Sequence, residues 1–522
     1  MLSKRRGQVI RNRVQFGHIG AISRQLPEAK EMVIALITRR RFLRRLGGGV
    51  VGVSLLAEGL RAAAVAQGRP GAAQTAPARK PNILLILTDQ QSATMMSCTG
   101  NKWLKTPGMD SLMAKGMRFE KAYAANPVCT PSRFSIFTGR YPSAIGMRRN
   151  GPSRGAERFA PLAMGHAFRA AGYRTVYGGK VHLPGPMADI TACGFDLLTR
   201  DERDELAEKC AAFLGKPHGQ PFLLVASFIN PHDICYEAIL AHDPQGEFSK
   251  ATAAVKDMRQ AEQIPQGVTE EEFYEKLCPP LPDNHEPTDG EPKAMQVALK
   301  DRPFKKWIRE NWGKREWRRH RWAYCRLTER VDRQVGIVLE ALAAAGLEDN
   351  TIVVFTSDHG DMDAAHRLEH KSMTYEQAAR IPMMIRAPGM TSPGHVDTEH
   401  LVSNGLDIFP TLCDLAGVKP PDGLGGLSLK PLLGGGKPAS WRSQLMIETQ
   451  FSYGVTDGRY KYTLFDASGP EELLCDLQTD PGEMKNLSGM KEHAKVLQSM
   501  HKALAEETAR HGVKLRCDIP QQ

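Results

Sequence analysis

The chain has 522 residues, 41% hydrophobic and 24% charged, which is the composition of a globular protein and excludes a fibrous or wholly disordered one. This length is sufficient for a large core and for more than one domain. The net charge of +11 does not indicate binding to nucleic acid or to an anionic membrane. Residues 1–80 hold sixteen Lys and Arg against three Glu, and the remainder holds 53 basic against 55 acidic side chains.

Residues 1–66 have the organisation of an export leader. The segment 38–44 (T-R-R-R-F-L-R) resembles a twin-arginine signal, an apolar stretch follows at 46–56, and Ala64-Val65-Ala66 offers a small-residue cleavage site. Charged residues follow the apolar stretch too closely for a stable membrane span. The sequence therefore predicts a periplasmic or extracellular protein that the twin-arginine export machinery carries in its folded form.

Residues 67–80 are rich in Gly, Pro and Ala and are predicted to be a linker. After them, short apolar runs alternate with helical patterns, which is typical of an α/β fold with a large, mostly parallel sheet covered on both faces. Four apolar runs predict buried strands. They are 82–88 (N-I-L-L-I-L-T), 173–177 (Y-R-T-V-Y), 222–228 (F-L-L-V-A-S-F) and 351–356 (T-I-V-V-F-T).

The remaining patterns divide the body into a large catalytic domain over 81–432 and a smaller α+β unit over 433–522. Charged and Pro-containing sequence at about 236–320 predicts a long excursion from the sheet, where substrate specificity could reside. Helical patterning resumes at Trp322–Ala345 and leads into the fourth strand. A Gly- and Pro-rich segment at 433–438 marks the boundary of the last unit.

Polar, reactive residues follow all four predicted strands. They are Asp89-Gln90, Gly178-Gly179-Lys180-Val181-His182, Asn230-Pro231-His232-Asp233 and Ser357-Asp358-His359-Gly360-Asp361. Each group taken alone is explained by the preferences of turns and caps. Ligands of open α/β sheets bind beyond the carboxyl ends of the strands, so four such ends together indicate one shared site.

The segment that begins at Cys129 has the pattern of a helix start. Pro131 suits a first helical turn and Gly139 suits a helix end, which places Cys129 at a helix N-terminus where backbone N–H groups favour an anion. A capped helix with an incidental thiol and a thiolate nucleophile activated by the helix dipole both fit this placement. Neither explains why Pro, Ser and Arg follow at these offsets.

The run C-T-P-S-R-F-S-I-F-T-G-R at 129–140 resembles the sulfatase signature C-x-P-S-R-x-x-x-x-T-G-R. Further segments resemble that family in the same order. They are N-I-L-L-I-L-T-D-Q at 82–90, G-Y-R-T-V-Y-G-G-K-V-H at 172–182, S-F-I-N-P-H at 227–232, T-S-D-H-G-D at 356–361 and H-K-S-M-T-Y-E-Q-A-A-R-I-P at 370–382. The resemblance implies an alkaline-phosphatase-like fold and a sulfuric ester hydrolase. It also implies a formylglycine-generating maturation enzyme that oxidises Cys129 to formylglycine.

The same resemblance implies that Asp89, Gln90, Asp358 and His359 are the ligands of a divalent cation. Many family members have Asp at the position of Gln90 and Asn at the position of His359, so this site carries less negative charge. Hard oxygen ligands favour Ca²⁺, whereas the amide and the imidazole leave Mg²⁺ or Mn²⁺ as alternatives. We expect Ca²⁺.

The catalytic residues that the resemblance implies are Cys129, Arg133, Lys180, His182, His232 and Lys371. A hydroxyl of the hydrated formylglycine, close to the metal and to Arg133, would attack sulfur. His182 would assist the release of sulfate, and Lys180 and Lys371 would hold the sulfate group. His232 would lie near the ester oxygen as a general acid.

The resemblance implies a sulfatase that acts on a sulfated carbohydrate or an aryl sulfate. A phosphonate monoester or phosphodiester hydrolase remains open, because such relatives share the formylglycine and the Asp-Gln pair, and sulfate and phosphate esters differ little in shape. A non-catalytic binding protein on the same scaffold is a third reading. Asp361 is expected behind the metal, while His366 and Asp233 could contact substrate or serve as loop residues. Ten cysteines without paired spacing leave the disulfides open.

Overall fold

The computed structural model describes residues 79–151, 153 and 155–520, so the predicted leader and most of the predicted linker lie outside it. The predicted strands are present as β1 (Asn82–Asp89), β4 (Arg174–Gly179), β6 (Phe222–Pro231) and β7 (Thr351–Ser357). They lie side by side in the order β4-β6-β1-β7 and run parallel. Since parallel strands end at the same edge, the polar residues that follow them reach one side of the sheet.

Further strands complete an eight-stranded sheet. They are β2 (Met117–Phe119), β5 (Asp196–Thr199), β8 (Met383–Arg386) and β9 (His395–Asp397). The full order is β5-β4-β6-β1-β7-β8-β2-β9, with β8 antiparallel to both of its neighbours. The predicted fold class, an α/β protein with a large and mostly parallel sheet, is confirmed. A separate parallel pair joins β3 (Ala122–Tyr123) to β10 (Val402–Ser403).

The central strand β1 is buried on both faces of the sheet. Ile83 and Leu85 pack on one face in a core cluster that includes Phe134, and Leu84 packs on the other face in a cluster that includes Val335. Burial on both sides explains why this strand is a continuous apolar run instead of an alternation of apolar and polar residues.

Helices cover both faces of this sheet. The described helices are α1 (Pro107–Lys115), α2 (Cys129–Thr138), α3 (Met164–Ala170), α4 (Leu206–Leu214), α5 (Cys235–His242), α6 (Thr252–Ala261), α7 (Glu270–Glu272), α8 (Ala294–Lys300), α9 (Pro303–Asn311), α10 (Lys314–Ala344), α11 (Glu376–Ala379), α12 (Asn404–Ala416) and α13 (Ala494–Arg510). Helices α2 and α12 supply apolar side chains to one face, and α4 and α10 supply them to the other. Within the described chain, no helix is both long enough and apolar enough to cross a membrane.

The excursion at 236–320 is largely helical. Helix α10 begins at Lys314, earlier than the start predicted at Trp322, and ends at Ala344. The reason is a local cap: the Gly313 N–H donates to Glu316 Oε2 at 2.9 Å, which satisfies a backbone donor at the helix start. The charged first turns of this helix concealed its apolar spacing.

The C-terminal region forms a small α+β unit, as the sequence predicts. Four antiparallel strands follow one another: β11 (Leu445–Glu448), β12 (Ser452–Thr456), β13 (Tyr460–Phe465) and β14 (Glu471–Asp476). Helix α13 packs on this sheet through Leu497, Met500 and Leu504. The boundary at 433 stays a prediction. All ten cysteines are unpaired thiols.

Candidate active site

The residues at the C-terminal ends of β1 and β7 form the floor of a buried polar cluster. Asp89, Gln90, Asp358 and His359 are all 0% exposed. The two strands pair along their length, so these residues leave the sheet side by side. The Gln90 N–H donates to Asp358 Oδ1 at 3.1 Å, and Gln90 takes a left-handed φ of 67° as the chain turns away from β1.

Cys129 begins helix α2 and lies against this floor. Pro131 occupies the first turn, and the helix ends at a left-handed glycine, as the sequence pattern predicts. The Cys129 Sγ atom lies 3.2 Å from His359 Nε2 and 3.6 Å from Asp89 Oδ1. One donor atom from each of these residues and from Asp358 lies within 4.8 Å of the others. Carboxylates and an imidazole at such spacing fit a divalent cation.

The two nitrogen-bearing side chains of the cluster are oriented by neighbours. The His359 Nδ1 atom lies 2.8 Å from the carbonyl oxygen of Gly360, so Nδ1–H donates there and leaves the Nε2 lone pair facing the cluster. Gln90 Nε2 donates to Asp361 Oδ2 at 2.6 Å, which turns Gln90 Oε1 towards Lys371 Nζ at 2.7 Å. Asp361 therefore positions Gln90 with its oxygen directed inwards.

Arg133 lies one helical turn after Cys129, is 0% exposed, and joins the two carboxylates. Its Nε donates to Asp358 Oδ2 at 2.9 Å and its Nη2 donates to Asp89 Oδ2 at 3.0 Å. Its Nη1 donates to the carbonyl of Lys180 and to Ser227 Oγ. The sequence predicts this guanidinium beside position 129, and the structure shows that it also joins Asp89 to Asp358.

Two lysines surround the Cys129 thiol. Lys371 Nζ lies 3.1 Å from Sγ, and Lys180 Nζ lies 4.0 Å from Sγ and 2.6 Å from Asp89 Oδ2. Burial by itself raises the pKa of Cys129, but Lys180, Lys371 and His359 outweigh burial and hold this pKa well below its ordinary value. An atom at this position therefore sits in a strongly positive field.

Two histidines complete the predicted set. Burial, Lys180 and Lys371 lower the pKa of His232 to about 4, and its Nδ1 atom has no hydrogen-bond partner among the described residues. His182 is exposed, and a hydrogen bond from its side chain helps to lower the pKa of Cys129. All ten residues predicted for the site thus meet in one cluster.

Several residues that hold this cluster were not predicted from the sequence. Tyr324 OH donates to the Gln90 carbonyl at 2.6 Å, and Asn404 Nδ2 donates to the Ser357 carbonyl at 2.6 Å. Cys235 Sγ lies 3.0 Å from Gln90 Oε1. Tyr324, Asn404 and Cys235 come from helices distant in sequence, and no local motif marked them.

The two weaker sequence candidates have structural contacts. Asp233 is buried and forms a two-pronged ion pair with Arg203. His366 is buried, stacks on Tyr375 with ring centroids 4.1 Å apart, and its Nδ1 lies 3.3 Å from Thr288 Oγ1. These contacts account for both side chains without substrate.

A cavity of about 180 Å³ opens onto the cluster. His232 and Lys371, which belong to the cluster, line this cavity. The excursion contributes Tyr236, Phe304 and Lys305, and the C-terminal unit contributes Gln450 and Phe451. The parts of the chain outside the sheet therefore shape the pocket.

Comparison with protein-family models gives two matches. The model described as Sulfatase matches residues 81–418. The model described as N-sulphoglucosamine sulphohydrolase, C-terminal, matches residues 364–510. Together they span the sheet, the cluster and the C-terminal unit.

Comparison with individual proteins gives similar results. The chain is 30% identical over 453 residues to a Δ4,5-hexuronate-2-O-sulfatase of Bacteroides thetaiotaomicron, covering 82% of this chain and 88% of the relative. The solved structure of a 2-O glycosaminoglycan (GAG) sulfatase matches with a TM-score of 0.69 and 26% identity, covering 84% of this chain and 95% of that one. The phosphonate monoester hydrolase of Agrobacterium radiobacter matches in fold, with a TM-score of 0.65, 23% identity, and coverage of 83% and 96%.

Proposed function

The chain belongs to the sulfatase family, and we propose that it cleaves the sulfate ester of a sulfated carbohydrate with a formylglycine nucleophile at position 129 and a divalent metal. The observation that carries this proposal is the placement of Cys129. Its Sγ lies 3.1 Å from Lys371 Nζ. It is also close to two buried atoms that could bind a metal, His359 Nε2 and Asp89 Oδ1. A sulfate ester is an anion that repels nucleophiles, so a site that hydrolyses it must combine cations with a strong nucleophile.

Asp89, Asp358, Gln90 through Oε1 and His359 through Nε2 would hold the metal. The inward orientation of both nitrogen-bearing side chains and the meeting of two carboxylates fit such an ion. When bound, a divalent cation supplies positive charge against the ester and lowers the pKa of a hydroxyl beside it. We propose Ca²⁺, with Mg²⁺ or Mn²⁺ as alternatives because of the amide and imidazole ligands.

The nucleophile would form when a formylglycine-generating enzyme oxidises Cys129. A hydrated aldehyde at this position supplies a hydroxyl for attack on sulfur and a second hydroxyl that allows the aldehyde to re-form as sulfate leaves. The protein contributes the positive field of Lys180 and Lys371. His182, which lies within hydrogen-bond distance of position 129, is the proposed proton acceptor when sulfate leaves.

His232 is the proposed proton donor to the leaving alcohol. In the free site its pKa is about 4, since it is buried beside Lys180 and Lys371. A bound sulfate ester would offset the charge of these lysines and raise that pKa towards the range of a useful acid.

A phosphonate monoester hydrolase is the second candidate function. It is favoured by the amide at Gln90, which lowers the negative charge of the site, and the fold is compatible with both activities. Export by the twin-arginine route to the periplasm or beyond also remains a proposal, since the leader lies outside the described residues.

The proposal is tested on protein co-produced with a formylglycine-generating enzyme. Mass spectrometry of the peptide that spans Cys129 should show the loss expected when a thiol becomes an aldehyde. Turnover of 4-nitrophenyl sulfate should fall roughly 10⁴-fold or more in Cys129→Ala, while Cys98→Ala, a partly buried thiol on another segment, should match the wild type. An active enzyme with an intact thiol at position 129 would refute the nucleophile. A higher kcat/KM on 4-nitrophenyl phenylphosphonate than on the sulfate would favour the second candidate.

A further inference from the structure

Lys305 is a buried cation in the substrate pocket that the proposed mechanism does not use. It lies on helix α9 of the excursion and is 5% exposed. Its Nζ donates to the carbonyl oxygen of Lys371 at 3.0 Å, and no Asp or Glu of the described chain forms an ion pair with it. Removing an ammonium group from water without a counter-charge costs free energy, and no ion pair within the described chain offsets the charge of Lys305.

The pocket around Lys305 has an excess of positive charge. Arg149, Arg302 and Lys371 line it together with Lys305, whereas Asp301 is the one acidic residue among the described lining side chains. Asp301 is itself close to Arg302, at 3.8 Å. Nearby, the Glu369 carboxylate pairs with the His370 ring and not with Lys305. Burial first, and then Lys371 and Arg302, lower the pKa of Lys305 to about 8.

The sulfate group that is cleaved does not account for this excess. In the proposed function, that group is held by Lys371 and Lys180 over the cluster. Lys305 lies next to that place, because its ammonium donates to the main-chain carbonyl of Lys371. Phe304, the neighbour of Lys305, packs on His370 with ring centroids 5.0 Å apart and holds the start of α9 against the pocket.

We propose that Lys305, with Arg302 beside it, binds a second anionic group of the saccharide next to the ester that is cleaved. The inference rests on the proposed function and narrows its substrate class to sulfated sugars that carry a carboxylate or a further sulfate. A hydrogen bond between an ammonium and such an oxyanion compensates the buried charge of Lys305 when substrate is bound.

Paired substrates separate the two sources of the anion. One pair is the unsaturated 2-O-sulfohexuronate and its methyl ester, which lacks the carboxylate charge but keeps the sulfate. The other pair is glucosamine 2-N,6-O-disulfate and glucosamine 6-O-sulfate. The wild type should prefer the more anionic member of one pair by about tenfold or more in kcat/KM, the scale of one charge-assisted hydrogen bond.

Lys305→Met is the matched variant, because it keeps the length and the apolar stem of the side chain. It should lose the preference through a higher KM for the more anionic member, with kcat on that member changed less, while Lys305→Arg should retain most of the preference. Arg302→Gln changes a side chain on the exposed side of the pocket. It should weaken the preference for the more anionic substrate without disturbing core packing. Lys305→Met should unfold at the wild-type temperature or above, since it removes an uncompensated buried charge.

Calorimetry keeps this test separate from the proposed function. Binding of the same sugars to Cys129→Ala enzyme, with and without Lys305→Met, reports the subsite even if no sulfate ester is hydrolysed. Tighter binding of an anionic member that disappears in Lys305→Met supports the proposal. Equal affinity and equal kcat/KM for both members of both pairs, or a preference that survives in Lys305→Met, would overturn it.

Discussion

Arg133 is the single residue on which the geometry of the cluster depends most. Asp89 and Asp358 lie on neighbouring strands, and in a buried site two carboxylates repel each other. Burial and Asp89 raise the pKa of Asp358 to about 6, opposed by His359 and Arg133. For Asp89, the cations Lys180 and Arg133 together with His232 outweigh burial and hold the pKa well below its ordinary value. The guanidinium thus allows both carboxylates to stay close and available to a metal.

We expect Arg133→Met to lower the free energy of unfolding by about 3–5 kcal/mol, because it leaves two buried carboxylates without their partner. Urea denaturation of the metal-free protein measures this change. Arg169→Met, which removes an ion pair whose side chains are 48% and 59% exposed, is the matched control and should change stability by less than about 1 kcal/mol. Equal effects of the two substitutions would contradict the role given to Arg133.

Strand β11 carries a carboxyl group into the interior of the C-terminal unit. Glu448 is 0% exposed, and its Oε2 accepts the Ser143 N–H at 3.2 Å, while Oε1 lacks a partner among the described residues. Burial, partly offset by Ser143 and Arg148, raises the pKa of Glu448 from 4.5 to about 7. The folded protein therefore keeps a proton that the unfolded chain releases at lower pH.

The stability that Glu448 contributes is complete below about pH 4.5 and is lost as the pH rises through about 7. Glu448→Gln should remove this dependence, because the amide accepts the same hydrogen bond without ionising. Between pH 4.5 and pH 8, the free energy of unfolding of the variant should rise by roughly 2–3 kcal/mol relative to that of the wild type. Denaturation with urea at both values measures the difference. If the variant instead loses stability relative to the wild type as the pH rises, the ionised Glu448 carboxylate stabilises the folded protein and the prediction is wrong.

At the scale of the whole molecule, the site is built from parts that are far apart in the chain. Four strand ends, the start of α2, the segment around Lys371, the excursion and the C-terminal unit all contribute side chains. Asp89 and Asp358, at the ends of β1 and β7, would hold the proposed metal and so couple the two strands. Its binding energy would count as folding energy, because the unfolded chain has no such site.

Removal of the proposed metal should lower the temperature of unfolding as well as abolish activity. Dialysis against EDTA followed by Ca²⁺ at roughly 100 times its Kd should restore about 3 kcal/mol of stability. Calorimetric melting of the wild type and of Asp358→Asn measures this, and the variant should lose most of the response. Identical melting temperatures of the wild type with and without Ca²⁺ would argue against the metal site. A larger increase in melting temperature with Mg²⁺ or Mn²⁺ would identify that ion, instead of Ca²⁺, as the bound metal.

The local sequence determined much of the framework. The four apolar runs predicted the four central strands, and Pro131 with Gly139 predicted the helix that begins at Cys129. Such features are encoded by short-range rules of burial, turn and cap chemistry. The parallel arrangement of these strands then placed Asp89 and Asp358 together, which the sequence could anticipate from the chemistry of strand ends alone.

The tertiary structure alone decided the contacts across long separations. The bridge from Arg133 to both carboxylates, the bond from Tyr324 to Gln90, and the approach of Lys305 to Lys371 join segments that no local pattern relates. Sequence periodicity reports which face of an element is buried but not which distant side chain meets it there. The packing of the whole core decides these contacts, because the interior must be filled without voids and its buried polar groups must find hydrogen-bond partners.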